Sequence, residues 1–183
     1  HMDFLELCKG RRSTRFFSRA EVSTETLEGI LEAGIWAPSG HNEQPWFFSV
    51  VRDKSLQDTI SVKTKVLMKE SPVSWIAKKG ADPNFHLFYH ASAVIVVSGK
   101  TSAYSAIVDC SAATQNMLLM AHSLGLGGCW IGLISPFLKL PEAKELLGIP
   151  EDYQGFYAIA LGYPEAGIVP KAPSRKNPQV QWL

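Results

Sequence analysis

Net charge is what this chain has little of: 18 Lys and Arg against 17 Asp and Glu leave +1 at pH 7. That near-balance excludes a broad basic surface, so no nucleic-acid partner is expected. Cysteine is scarce as well. Cys8, Cys110 and Cys129 are odd in number and widely spaced, which argues against a disulfide framework or a zinc site and for reduced thiols in a cytoplasm. No apolar run is long enough to span a bilayer, so no membrane partner is expected. The N-terminus lacks the basic and apolar regions of a secretory signal, and His1-Met2 looks like a cloning remnant. Repeats and low-complexity stretches are absent. With 46% apolar and 19% charged residues in 183, the chain fits one domain, 1–183, with a sizeable core.

Familiar chemistry is missing too. Gly125-Leu126-Gly127-Gly128-Cys129-Trp130-Ile131-Gly132 fails the dinucleotide fingerprint, which would need glycine at Trp130 and a strand before the turn instead of a helix. Those glycines let backbone approach a flat ligand, or simply turn the chain. Nothing near Cys129 in sequence lowers its pKa, so a nucleophile is not expected there. His41, His86, His90 and His122 make no metal spacing with a cysteine or carboxylate, and His122 reads as a core histidine in a buried helix. With no protein nucleophile or acid–base pair in evidence, a cofactor would have to carry any chemistry.

What is present begins at Arg11-Arg12-Ser13-Thr14-Arg15. A helix over 3–9 precedes it and stops at Gly10, a residue suited to a left-handed C-cap. In an extended segment Arg11, Ser13 and Arg15 would share a face, giving a socket sized for phosphate; a solvated basic loop is the alternative. A helix opens at Ser23, with Thr26 at the capping-box position, and runs to Pro38. Pro38-Ser39-Gly40-His41-Asn42-Glu43-Gln44-Pro45 then makes a polar loop into a strand over 46–51. A helix from Asp53 to about residue 69 follows. Residues 70–90 show poor patterning with scattered aromatics, the mark of a long functional loop or of core plugs. Strands over 93–98 and 156–162, a strand after Gly125, a central buried helix over 103–124 and short helices at Ser135-Pro136 and Pro141 complete a mixed α and β pattern.

Four stretches, in order, carry a resemblance. They are Arg11-Arg12-Ser13-x-Arg15; Pro38-Ser39-Gly40-x-Asn42-x-Gln44-Pro45-Trp46; Asp109-x-x-Ala112-Ala113-x-Gln115-Asn116 running into Gly125-Leu126-Gly127-x-Cys129-Trp130-Ile131-Gly132; and Pro173-Ser174-Arg175-Lys176-x-Pro178 ending near Trp182. Together they resemble the nitroreductase family in its short form, across almost the whole chain. The resemblance implies an α+β fold with a mainly antiparallel sheet flanked by helices. It implies a homodimer that exchanges the C-terminal strand within the tail 163–183, and FMN at the interface. Arg11, Arg12, Ser13 and Arg15 would meet its phosphate and ribityl chain. Pro38, Ser39, Gly40, Asn42 and Gln44 would reach it from the partner subunit. Trp130, Ile131, Gly132 and Leu133 would face its reactive side, and Arg175 with Lys176 would close on the phosphate. The implied activity passes hydride from NADH or NADPH through the flavin to nitroaromatics, quinones or similar small acceptors by a ping-pong mechanism. Other flavin chemistry, such as oxidation, dehalogenation or flavin breakdown, and a non-catalytic flavin-binding dimer are the alternatives. Residues 70–90 are where acceptor choice is expected to lie.

Overall fold

The computed structural model describes residues 3–183, so His1-Met2 lies outside the described residues. Four strands form one antiparallel sheet in the order β1-β2-β4-β3: β1 Trp46–Val51, β2 Ala93–Lys100, β3 Gly127–Ile131 and β4 Tyr153–Gly162. Around it lie α1 Phe4–Gly10, α2 Thr24–Ile35, α3 Lys54–Lys69, α4 Ser74–Ala81, α5 Ala106–Ser123, α6 Ser135–Leu138 and α7 Pro141–Leu147. The expected α+β class and helix-flanked antiparallel sheet are what the chain adopts.

Strand alternation divides the core in two. Val94 and Val96 of β2, with Ala158 and Ala160 of β4, face Ile60 of α3 and Phe137 of α6. Ile95, Val97, Ile159 and Leu161 face Ile30 of α2 and Met117 of α5. Because helices cover both faces, β2 is buried from Ala93 through Gly99. Each buried Val or Ile there contributes about 1.5–3 kcal/mol relative to exposure. Side chains tie the layers together: Asn116 Nδ2 donates to Ala33 O at 3.0 Å, and Ser49 Oγ donates to Leu147 O at 2.7 Å.

Capping follows the sequence where the signal was local. Ser23 Oγ accepts Thr26 N–H at 3.1 Å. Asp53 accepts from Ser55 and Leu56 N–H, and these bonds hold its carboxyl below the usual range, the Ser55 hydroxyl contributing most. Gly10 departs from expectation. The residue after α1, Arg11, is extended rather than Gly10 being left-handed. Gly10 instead makes room, since a Cβ there would lie 2.8 Å from His122 Nε2. The helix expected over 103–124 begins at Ala106, and β4 begins at Tyr153.

Residues 70–90 differ most from expectation, because an eight-residue helix, α4, stands inside them. Gly80, which reads as a helix breaker, is a packing device. It is buried, and a Cβ there would lie 2.7 Å from Lys69 N and 2.8 Å from Lys65 O. Its bare Cα lets α4 seat on the backbone of α3. Also contrary to expectation, α5 is not buried all round: Ile107 and Val108 are 55% and 66% exposed. Among the described residues, no helix is long and apolar enough to cross a membrane.

Candidate functional site

The arginine segment is an added half-strand on the free side of β3. Ser13 bridges Gly128 in parallel, and Thr14 N–H donates to Gly128 O at 2.9 Å. Thr14 turns inward, 5% exposed, into the space left by Gly127, where a Cβ would lie 2.6 Å from Thr14 Cβ. Two clefts flank this segment. One, of about 230 Å³, holds Arg11, Arg12, Thr14 and His122 beside Gly127 and Gly128. The other, of about 420 Å³, holds Arg15 with Trp130, Ile131, Gly132 and Leu133, closed by Trp75, Lys79 and Tyr89. Ser13 is half-buried and lines neither cleft. No Asp or Glu lines either cleft, so both suit an anionic ligand.

Charge in these clefts acts on three neighbours. Burial pushes the Cys129 thiol up, with Arg15 and then Arg11 opposing it. Burial likewise raises Tyr89, against Arg15. His122 is lowered, first by burial and then by Arg11 and Arg12. His122 is therefore no core histidine. It is a half-buried cleft residue beside two guanidinium groups.

The loop carrying Pro38, Ser39, Gly40, Asn42 and Gln44 lies elsewhere. It leads into β1, which is separated from β3 by β2 and β4, about 14 Å across the sheet at ordinary strand spacing. None of these residues lines either cleft. The loop is stiff and strained: His41, Asn42 and Gln44 all have positive φ, at 55°, 53° and 48°. Strain of this kind needs surrounding bonds to hold it. Ser39 Oγ accepts Gln44 N–H at 3.0 Å, and Gln44 Nε2 donates to Asn42 Oδ1 at 3.2 Å. Asp109 of α5, 4% exposed, anchors the loop by accepting Gly40 N–H at 3.2 Å and the Ser105 hydroxyl at 2.9 Å. Its Oδ2 is buried without a partner among the described residues.

The tail places Arg175 and Lys176 in exposed chain with no strand or helix, and they line neither cleft. Trp182 is 89% exposed. The alternating stretch 179–182 forms no strand within its own chain.

Over residues 8–163 the sequence matches the nitroreductase family. The chain is a member of the nitroreductase family. A protein of Archaeoglobus fulgidus with a provisional NADH dehydrogenase/NAD(P)H nitroreductase name is 39% identical over 166 residues, 88% of this chain and 85% of its own. A nitroreductase from Bacteroides fragilis, solved with bound FMN, superposes with a TM-score of 0.91 at 30% identity over the full length of both chains. Iodotyrosine deiodinase 1 of Rattus norvegicus is 25% identical across 96% of this chain and 67% of its own.

The roles of several residues of this nitroreductase-family chain depend on the fold and were not legible in its sequence. Thr14 and Gly127 dock the arginine segment, Asp109 anchors the strained loop, and Trp75 and Lys79 close the larger cleft. The i, i+4 spacing of Trp75 and Lys79 was the available signal, hidden by reading Gly80 as a breaker. The fold also gathers Asp58, His86 and His90, with ligand atoms within 4.8 Å of one another, a cluster absent from the sequence reading. His86 Nδ1 accepts N–H from Phe88 at 3.2 Å, so its Nε2 carries the proton and donates to Asp58 at 3.0 Å. In that tautomer the histidine and the carboxylate form a hydrogen-bonded pair.

Proposed function

We propose that the chain is an FMN-dependent oxidoreductase that works as a homodimer. It draws electrons from NADH or NADPH and passes them to nitroaromatics, quinones or similar small acceptors. The observation that carries this reading is the 420 Å³ cleft, which combines Arg15, an open Gly132 and no carboxylate. A Cβ at Gly132 would meet nothing within 4 Å, which leaves room for a flat ring against the backbone. The neighbouring cleft adds Arg11 and Arg12, a donor set fitting a terminal phosphate. These features fit FMN, and family membership supports it.

Bound FMN supplies the two-electron redox chemistry. The chain's own part is to bind and to tune. Arg11, Arg12 and Ser13 take the phosphate end. Arg15 brings positive charge to the ring cleft, where developing negative charge is stabilised without a protein acid. Trp130, Ile131, Gly132 and Leu133 present backbone to the ring. Cys129 stays a buried thiol whose raised pKa suits packing better than nucleophilic attack.

The dimer reading rests on incompleteness. The strained loop with Pro38, Ser39, Gly40, Asn42 and Gln44 lies three strands from the clefts of its own chain. It therefore serves the clefts of a second copy. Exposed Ile107, Val108 and Trp36 near α5 offer apolar surface for that contact. Exposed Trp182 and the Arg175–Lys176 pair are free to lie on the partner, the residues 179–182 adding an edge strand there.

Initial rates of NADH and NADPH oxidation with menadione or a nitroarene test the reading. Parallel double-reciprocal lines are expected, because donor and acceptor take turns in one cleft. Protein that holds no flavin, or holds it without turning over any acceptor, refutes the reductase. Slow generic turnover alongside fast reductive dehalogenation of a halophenol would favour the second reading, which the iodotyrosine deiodinase relative supports.

A further inference from the structure

We infer that Lys79 and Trp75 form an acceptor subsite selective for aromatic acids, electron-poor rings bearing a carboxylate. The inference rests on the reductase reading for its chemistry and on α4 for its geometry. Trp75 and Lys79 are one turn apart, so they project from the same face of α4. Both line the 420 Å³ cleft together with the 130–133 segment.

The charge inventory points to an anion. The cleft contains two cations, Arg15 and Lys79, and no carboxylate. Arg15 sits beside Tyr89 and Cys129, in the part assigned above to the cofactor. Lys79 makes no ion pair among the described residues. Its ammonium stands 4.7 Å from the centroid of the Phe85 ring, a cation–π contact that orients the side chain without neutralising it. The neighbouring Lys65 is already committed, donating to Asp82 O and Phe85 O at 2.6 Å each. Lys79 is thus the charge left for a ligand.

The apolar part of the subsite selects a ring. Trp75 is 56% exposed, a large indole held at the cleft edge instead of in the core. Tyr89, with Phe85 set edge-on at 5.8 Å, stands on a left-handed backbone, φ 54°. Strain at a cleft wall is retained where it aims a side chain. An indole and an ammonium on one helix face match a flat ring with an anionic substituent at its far end.

The test uses FMN-loaded protein and two probes of nearly equal shape, 4-nitrobenzoate and 4-nitrobenzamide, with equilibrium binding read by tryptophan and flavin fluorescence. Lys79→Ala should weaken 4-nitrobenzoate by about fivefold, the scale of one partly exposed ion pair. Lys79→Glu should weaken it by more than about tenfold, since attraction becomes repulsion. Lys79→Arg should keep wild-type binding, and 4-nitrobenzamide should shift in none of the variants. Raising ionic strength should weaken only the carboxylate. The inference is overturned if both probes weaken together in Lys79→Ala, or if Lys79→Glu leaves the carboxylate untouched. Loss of NAD(P)H oxidation with every acceptor, with selective 4-nitrobenzoate binding intact, would sink the reductase reading and leave the subsite standing.

Discussion

Replacing Gly80 with alanine should destabilise the protein, although the same change normally strengthens a helix. Two terms compete. Alanine gains at most about 1 kcal/mol of helix propensity over glycine. Against it stands steric cost. The new Cβ would lie 2.7 Å from Lys69 N, 2.8 Å from Lys65 O and 2.8 Å from Met68 Cβ. Two of these neighbours are backbone of α3 and cannot rotate away, so the cost falls near the top of the overpacking range, about 3 kcal/mol. The difference is a net loss of about 2 kcal/mol, or about 4–8 °C in Tm for a domain this size. Gly29, inside α2, is the control. A Cβ there meets only Met120 Cε, at 3.9 Å. Gly29→Ala should therefore raise Tm by about 2–4 °C. Thermal unfolding of both variants by circular dichroism, with and without FMN, reads the two signs. If Gly80→Ala stabilises as Gly29→Ala does, α4 does not seat on the α3 backbone. The placement of Trp75 and Lys79 would then fall with it.

Arg15→Ala should weaken FMN about tenfold or more, as loss of a charge-assisted contact predicts. Lys9→Ala should not, because Lys9 sits in a surface pair with Glu6 in which both side chains are 61% exposed; equal affinities by fluorescence titration would remove Arg15 from the site. Deleting residues 179–183 should weaken the proposed dimer, and an intact FMN-loaded dimer by light scattering would rule out strand exchange. His86 and His122 both titrate below the ordinary 6.5, mainly through burial. The unfolded chain then binds more protons than the folded one as pH falls below 6.5, so their stabilisation is complete above that value and is lost on acidification. Tm should fall between pH 7 and 5, and fall less in His86→Gln; identical profiles for the variant and wild type would show that His86 is not the group responsible.

The sequence by itself determined whatever depends on neighbours along the chain. Ser23 and Asp53 cap their helices because a cap is a bond to the next turn. The stretch 93–98 falls within β2, and it reads as a strand because it is short and rich in β-branched Val and Ile. The order of the arginine segment, the polar loop and the glycine-flanked strand was enough to identify the family. Tertiary structure decided what depends on approach between distant segments. Gly80 makes α4 possible only because α3 lies beneath it, and Gly127 matters only because Thr14 arrives from more than a hundred residues away. Asp109 anchors the loop at Gly40 across 69 positions. The separation of that loop from the arginine clefts is a consequence of strand order β1-β2-β4-β3. Strand order is set by packing helices on both faces of the sheet, and no local pattern of side chains encodes it.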